Sequence, residues 1–265
     1  MKIGFIGCGN MGGAVAKAAQ RTMDGKEVYL TGKSPRRAET LAREIGANAC
    51  DKETICRECA YIFLGVKPQN MEQVLTEMAP VLAVRRDRFV LVTMAAGLEI
   101  SRIRAMAGGD YPVIRIMPNL PVSVGEGVVL WCADGVKEEE TEAFKTMLAR
   151  AGRLEAVEEK LIDAGSAVSG CGPAFACMFI EAMADAGVSC GLRRDTAQAL
   201  AEQMLLGTAK QLLETGEHPG VLKDAVCSPG GTTIAGVMAL DEGAFRSDVQ
   251  KAVLAAYEKT LRLKG

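Results

Sequence analysis

Short apolar runs alternate with segments of helical period over the first part of the chain. The apolar runs predict strands at Lys2–Ile6, Glu27–Leu30, Tyr61–Val66, Phe89–Thr93, Val113–Met117, Val128–Trp131 and Leu154–Val157. Helical spacing predicts helices at Met11–Arg21, Arg36–Ile45, Met71–Val81, Ile100–Met106 and Lys137–Ala151. This alternation predicts an α/β fold, a doubly wound and mostly parallel sheet with helices on both faces.

The pattern changes near residue 160, and every later segment has the period of a helix. Pro173 suits the first turn of one helix and Gly187 its end. The same apolar spacing from Ala197 to Thr208 predicts a second helix, and a third long helix covers roughly Phe245–Leu263. The apolar stripes are broad and rich in small residues, which favours a core and also contact with a second subunit. We expect two domains, a sheet domain over residues 1–159 and an all-helical domain over residues 160–265.

The first strand runs directly into the sequence Gly7-Cys8-Gly9-Asn10-Met11-Gly12, and a helix pattern follows. Glycine-rich turns of this spacing bind a dinucleotide pyrophosphate when they join a strand to a helix. Gly7 permits the tight turn, Gly9 lets the phosphates approach, and Gly12 allows close packing. The start of the helix adds free N–H groups, so Asn10 and Met11 belong to the expected cofactor site of a Rossmann-type domain.

The end of the second strand, Tyr29 to Arg37, carries no carboxylate. An NAD-specific site places Asp or Glu there to bind the ribose 2′-hydroxyl, and such a group would repel a 2′-phosphate. Lys33, Ser34 and Arg36 could bind a 2′-phosphate instead. They could equally be surface charges at the start of a helix. We expect NADPH as the cofactor, with NADH possible but less preferred.

Later strand ends supply further candidate cofactor contacts, because parallel strands present their carboxyl ends at one edge. Val66, Lys67 and Pro68 follow the third predicted strand. Small residues, Ala95-Ala96-Gly97, follow the fourth and leave room beside a nicotinamide. Asn119 lies between two prolines after the fifth, where a stiff turn without a ligand is an equally good interpretation.

A second informative stretch is Ser228-Pro229-Gly230-Gly231-Thr232-Thr233-Ile234. The Pro-Gly-Gly sequence cannot continue a helix, whereas the two threonines can begin one. Backbone N–H groups at such a junction, with two hydroxyls beside them, suit a carboxylate. The alternative is a plain loop with a capped helix.

Several ordered segments together resemble the pyrroline-5-carboxylate reductase family over essentially the whole chain. The matching segments are Gly7–Gly12, Val66–Gln69, Met117–Asn119, Ser169–Phe175, Glu181 with Asp185–Gly187, and Ser228–Ile234. The resemblance implies a Rossmann domain followed by a helical dimerisation domain, a dimer or a ring of dimers, and the last step of proline biosynthesis. Cys171, Phe175, Met204 and the segment Lys33-Ser34-Pro35-Arg36 depart from the family pattern, but none of these departures removes a group that the resemblance assigns to the chemistry.

The resemblance also implies roles for individual residues toward the cyclic imine 1-pyrroline-5-carboxylate. Thr233 hydrogen-bonds the ring nitrogen and relays a proton. The backbone around Gly230, Gly231 and Thr232 holds the carboxylate. Ser169, Gly172 and Pro173 shape the ring pocket, and two subunits contribute to each site.

Composition excludes several other classes of function. The net charge is −2, which gives no basic field for nucleic acid or an anionic membrane. We expect no apolar run near the ~20 residues that span a bilayer, no signal peptide and therefore a cytoplasmic protein. The nine cysteines fit free thiols, and Cys56 and Cys59 lack the partners of a zinc site, so we expect no metal.

Three alternatives can be weighed against the sequence. A β-hydroxyacid dehydrogenase shares the layout but needs a lysine base in its glycine-rich helix start, and residues 169–173 contain no lysine. A reductase of a six-membered cyclic imine stays open, since pocket size cannot be read from sequence. A cofactor-sensing protein without catalysis would bind NADPH yet never oxidise it with an imine.

Overall fold

The computed structural model describes residues 1–262, so Leu263, the predicted end of the last helix, lies outside the described residues. Eight strands form one sheet: β1 (Ile3–Ile6), β2 (Val28–Thr31), β3 (Asn48–Ala49), β4 (Tyr61–Leu64), β5 (Val90–Thr93), β6 (Val113–Pro118), β7 (Gly127–Asp134) and β8 (Gly152–Ala156). Their order is β3-β2-β1-β4-β5-β6-β7-β8, and only the β6–β7 pair is antiparallel. The expected mostly parallel sheet is confirmed. The sequence pattern missed β3, because two residues carry no periodicity.

Within residues 1–262, twelve α-helices connect and follow the strands. They are α1 (Asn10–Gln20), α2 (Pro35–Ile45), α3 (Lys52–Glu58), α4 (Met71–Ala83), α5 (Ile100–Ala107), α6 (Glu138–Met147), α7 (Ile162–Ser169), α8 (Gly172–Ser189), α9 (Arg194–Thr215), α10 (Pro219–Ala225), α11 (Thr232–Glu242) and α12 (Phe245–Arg262). No strand follows residue 160 in the described part of the chain, as the helical period predicts.

The chain divides into two compact units, Met1–Cys171 with the described part of Ala256–Gly265, and Gly172–Ala255. In the first unit, successive side chains of each strand alternate between the two faces of the sheet. One buried cluster joins Phe5 and Phe63 to α1, α2 and α6, and a second joins Ile62 and Leu64 to α3, α4 and α5. Residues 160–171 pack with this unit, because Ile162 is buried against β6 and β7.

The second unit consists of α8 to α11 and most of α12. The sequence predicts the end of a helix at Gly187, but α8 continues to Ser189. A Cβ on Gly187 would lie 3.1 Å from the Cβ of Ala197 on α9. This glycine therefore allows α8 and α9 to approach closely, and it does not end the helix.

One described stretch, Glu159–Ser189, is long and apolar enough to cross a membrane by length and composition, and its most apolar window has a mean hydropathy of 1.4. This corrects the expectation that no apolar run reaches that length. The stretch contains two helices, α7 and α8, separated by a turn at Gly170 and Cys171. Only 11% of its most apolar window is buried within the single chain, so its apolar side chains lack a covering surface there.

Candidate functional site

Three glycines at the turn between β1 and α1, Gly7, Gly12 and Gly65, leave no space for a larger residue. Gly7 has φ +107°, a left-handed conformation that favours glycine. A Cβ on Gly12 would lie 2.0 Å from the Gly7 carbonyl oxygen, and one on Gly65 would lie 2.4 Å from it. A Cβ on Gly9 would meet no atom within 4 Å. The turn is therefore tightly packed at Gly7, Gly12 and Gly65 and open at Gly9, as the approach of a pyrophosphate requires.

The first turn of α1 faces this open space. The first bond within the helix runs from the Gly13 N–H to the Gly9 carbonyl at 2.8 Å, so the N–H groups of residues 10–12 precede it. Gly9, the N-cap, has no side chain to satisfy them. Free N–H groups and the positive end of the helix dipole suit a phosphate, so the residues present fit a dinucleotide.

A cleft of about 240 Å³ lies beside this turn. It is lined by six of the expected cofactor residues, Gly7, Gly9, Lys33, Ser34, Val66 and Lys67, and by Cys8, Gly32, Arg37, Gly65 and Asn70. The phosphate turn and the end of β2 thus line one cleft, as the motif predicts. The predicted pair of basic residues is only half represented there, since Arg36 is exposed on α2 and is absent from the lining.

Arg37 is a site residue that sequence reasoning missed. Its Nη2 donates to the Asn10 Oδ1 at 2.6 Å, which ties the start of α2 to the start of α1. The adjacent arginines at 36 and 37 give the same signal in sequence, and only the direction of each side chain on α2 separates them. Three cationic side chains line this cleft, Lys33, Arg37 and Lys67. Lys33 and Arg37, which follow β2, suit a 2′-phosphate.

The remaining loops lie where the expected edge of the sheet places them. Pro68 begins a short 3-10 helix after β4, while Ala95, Ala96 and Gly97 follow β5. The Ala95 N–H donates to the Thr93 Oγ1 at 3.3 Å, which holds the first residue of that loop against β5. Met11 packs against the buried cluster below α1 and is not part of the cleft lining.

Asn119 has a structural role that the sequence did not reveal. It is 7% exposed, its Nδ2 donates to the Ser169 carbonyl at 3.0 Å, and its Oδ1 accepts from the Val128 N–H at 2.8 Å. The side chain therefore anchors the end of α7 to β6 and β7. Ser169, expected near the substrate, donates its Oγ to the Gly165 carbonyl at 3.0 Å.

A buried ion pair on β6 is a second feature without a sequence signal. Arg115 is 1% exposed; its Nη2 lies 3.1 Å from the Asp163 Oδ1 and its Nη1 lies 3.3 Å from the Glu159 Oε1. The same Glu159 oxygen accepts from the Ile100 N–H at 2.7 Å, at the start of α5. This network joins β6, α5 and α7, and so holds in place the helix that ends at Ser169.

In the second unit, the expected turn and helix start are present at residues 228–233. Gly230 has φ +69°, and the Gly231 N–H donates to the Ser228 carbonyl at 3.0 Å. The first bond within α11 runs from Ala235 to Gly231, so the N–H groups of residues 232–234 precede it. Those three groups suit an anion, whereas the Gly231 N–H is already bonded. Thr232 and Thr233 are exposed in the single chain.

The chain's one histidine has a structural contact. His218 precedes Pro219 at the start of α10, and its Nδ1 accepts from the Gly220 N–H at 3.0 Å. It therefore acts as an N-cap.

Comparisons with known proteins cover the whole chain. The pyrroline-5-carboxylate reductase of Escherichia coli (strain K12) is 40% identical over 267 residues, which is 99% of this chain and 98% of that protein. The reductase of Arabidopsis thaliana is 36% identical over 99% of this chain and 95% of its own length. A crystal structure of Plasmodium falciparum pyrroline carboxylate reductase with NADP bound has a TM-score of 0.89 and 30% identity, covering 100% of this chain and 98% of that one.

Two families match separate parts of the chain. Residues 2–97 match the family described as NADP oxidoreductase, coenzyme F420-dependent, and residues 159–263 match pyrroline-5-carboxylate reductase dimerisation. The fold, the glycine turn at residues 7–12 and these two family matches together define a Rossmann-type, NADP-dependent oxidoreductase with a helical dimerisation domain. The chain belongs to the pyrroline-5-carboxylate reductase family.

Proposed function

We propose that this protein reduces the C=N bond of 1-pyrroline-5-carboxylate to give L-proline, with NADPH as the reductant. The full-length identity of 40% to the Escherichia coli reductase carries this proposal. The open space above Gly9 and the cationic cleft at Lys33 and Arg37 support it independently, because they fit a phosphorylated dinucleotide. NADPH, when bound, supplies the hydride that the imine carbon accepts.

The chain's own residues then bind and orient the substrate. The N–H groups at the start of α11 hold its carboxylate, and the Thr233 hydroxyl donates a hydrogen bond to the ring nitrogen. The pocket around the ring is lined by Ser169, Gly172 and Pro173. A protonated imine is already electrophilic, so most of the rate enhancement comes from orientation rather than from acid catalysis. Orientation can lower the activation barrier by up to roughly 7–11 kcal/mol.

The cofactor site extends this assignment to named residues. The start of α1, with Gly9, Asn10 and Met11, holds the pyrophosphate, and Lys33, Ser34 and Arg37 hold the 2′-phosphate, with Arg36 nearby on the same helix start. Val66, Lys67 and Pro68 continue the contact surface. Ala95, Ala96, Gly97 and Asn119 border the nicotinamide.

Domain roles and assembly are part of the same proposal. Residues 1–159 bind the dinucleotide, and residues 160–265 self-associate and hold the imine. Dimers, or rings of dimers, form through the helical domain in the cytoplasm, with no nucleic acid or membrane as a partner. The exposed apolar helices of the second unit support association through that unit.

Spectrophotometry tests the activity directly. NADPH absorbance should fall on addition of 1-pyrroline-5-carboxylate, more slowly with the six-membered imine, and NADH should be the poorer reductant. Absence of NADPH oxidation with any cyclic imine would refute the assignment. Rapid turnover of the six-membered ring alone would instead make this a reductase of that substrate.

Variants locate the chemistry. Thr233→Ala should lower kcat by roughly 10- to 150-fold, the value of a hydrogen bond to a charged group, and leave the Kd for NADPH unchanged. Gly9→Asp should fold, since its Cβ meets no atom within 4 Å, yet repel the pyrophosphate.

Mixing these two variants shows which chain supplies each half of a site. If each site uses two subunits, equal amounts reassembled together should recover about a quarter of wild-type activity through mixed dimers. No recovery would mean that both halves belong to one chain.

A further inference from the structure

A second cleft continues from the phosphate cleft and is larger, with a volume of about 380 Å³. Residues that line both clefts are Gly7, Gly32, Lys33, Val66 and Asn70. The two spaces are therefore continuous around the end of β2. A dinucleotide whose 2′-phosphate lies at Lys33 has its adenine as the next group along this path.

The residues that line the second cleft suit a flat heterocycle. Its sides carry the apolar side chains of Ile6, Val66 and Val74, which suit the two faces of a purine ring. It lies among β1, β2 and β4, where the strand order of a doubly wound sheet reverses and such ligands bind. Lys52, Gln73 and Glu77 supply polar groups at the side bounded by α3 and α4.

Two of these polar side chains, Lys52 and Gln73, bond to the third, Glu77. The Lys52 Nζ forms an ion pair with the Glu77 Oε2, and the Gln73 Nε2 donates to the Glu77 Oε1 at 3.0 Å. Lys52 begins α3 and Glu77 lies within α4, so the bridge spans two helices. Hydrogen bonds from Lys52 and Gln73 hold the pKa of Glu77 below its usual value, so its carboxylate is an acceptor at neutral pH.

We infer that the Gln73–Glu77–Lys52 bridge is the wall that selects the adenine base, with Glu77 accepting a hydrogen bond from the exocyclic amine. The inference rests on the proposed placement of the 2′-phosphate at Lys33. Each carboxylate oxygen carries more than one lone pair, so a bridged Glu77 still has acceptor capacity. The adenine amine would be a third donor to the Glu77 carboxylate, beside Lys52 and Gln73.

Calorimetry with two ligands tests this wall. NADP⁺ is compared with its ethenoadenine analogue, in which a bridge blocks the amine and adds bulk. Because the Glu77 side chain is 47% exposed, the wild-type Kd for the analogue should be about tenfold higher, the lower end for a charged hydrogen bond. Glu77→Ala removes both the acceptor and the wall, and should bring the ratio of the two Kd values close to one.

A matched control and a second variant make the result decisive. Glu72→Ala changes an exposed carboxylate on the same helix outside the cleft lining, and should keep the wild-type ratio. Glu77→Met removes the acceptor but keeps a side chain of similar length in the wall, and serves if Glu77→Ala fails to fold. Equal affinities in the wild type, or an unchanged ratio in the folded variant, overturn the inference. Failure of NADP⁺ itself to bind would instead overturn the proposed function.

Discussion

The two units of this chain bury their apolar side chains very differently. In the first unit, Phe5, Phe63 and Phe144 are fully buried, and every residue of β1, β4 and β5 is buried. In the second, the buried side chains among the described residues are three alanines, Ala184, Ala197 and Ala201. Met178, Leu213 and Leu254 there are 67%, 75% and 58% exposed.

This difference teaches which part can fold alone. A sheet covered by helices on both faces completes its own core. A few packed helices with apolar residues on their outer surfaces do not, and such surfaces mark contact with another protein. The match of residues 159–263 to a dimerisation family agrees with that interpretation.

Removing the buried ion pair of the first unit should have the largest effect. Arg115→Met takes the opposite charge away from Asp163 in the protein interior and should lower the free energy of unfolding by about 3–5 kcal/mol. Arg153→Met breaks an exposed pair with Glu155, and should cost less than ~1 kcal/mol. Urea unfolding followed by fluorescence of Trp131, the single tryptophan, reports on this unit. Equal losses in the two variants would contradict a special role for the buried pair.

A charge on the second unit should break the assembly and leave the first unit intact. Leu213→Asp places a carboxylate on α9 where the single chain leaves leucine exposed, and should raise the dissociation constant of the dimer at least about a hundredfold. Val84→Asp changes a side chain of the first unit that is 71% exposed, and should leave association unchanged. Sedimentation measures both. Retention of the wild-type oligomer by Leu213→Asp would place the interface elsewhere.

Thiol reactivity should sharpen the comparison with the smallest perturbation. Burial raises the pKa of Cys8 and Cys56 to about 11 and that of Cys59 to about 12, against an ordinary value of 9.0. A raised pKa keeps the thiol protonated, so at mildly alkaline pH the thiolate fraction is about a hundredfold lower than for a free cysteine at Cys8 and Cys56, and about a thousandfold lower at Cys59. These thiols should resist alkylation in every state of assembly.

Cys177 and Cys190 are exposed in the single chain and serve as the contrast. They should react quickly in the dissociated Leu213→Asp variant and more slowly in the assembled protein, as mass spectrometry after iodoacetamide treatment can measure. Rapid labelling of Cys56 or Cys59 would show that the first unit opens more readily than its core suggests.

The sequence by itself was enough for the sheet, the glycine cradle and the turn before α11, because each depends on local backbone preferences and on short periodic patterns. Gly7 and Gly12 are demanded by the turn itself, and Pro229 with Gly230 interrupts any helix. Only the tertiary structure decided that Arg37 rather than Arg36 lines the cofactor cleft, and that Gly187 lies inside a helix. It alone revealed the Arg115 pair and the Lys52–Glu77 bridge. Those features depend on which side chains meet across elements far apart in the chain, and local pattern carries no information about such meetings.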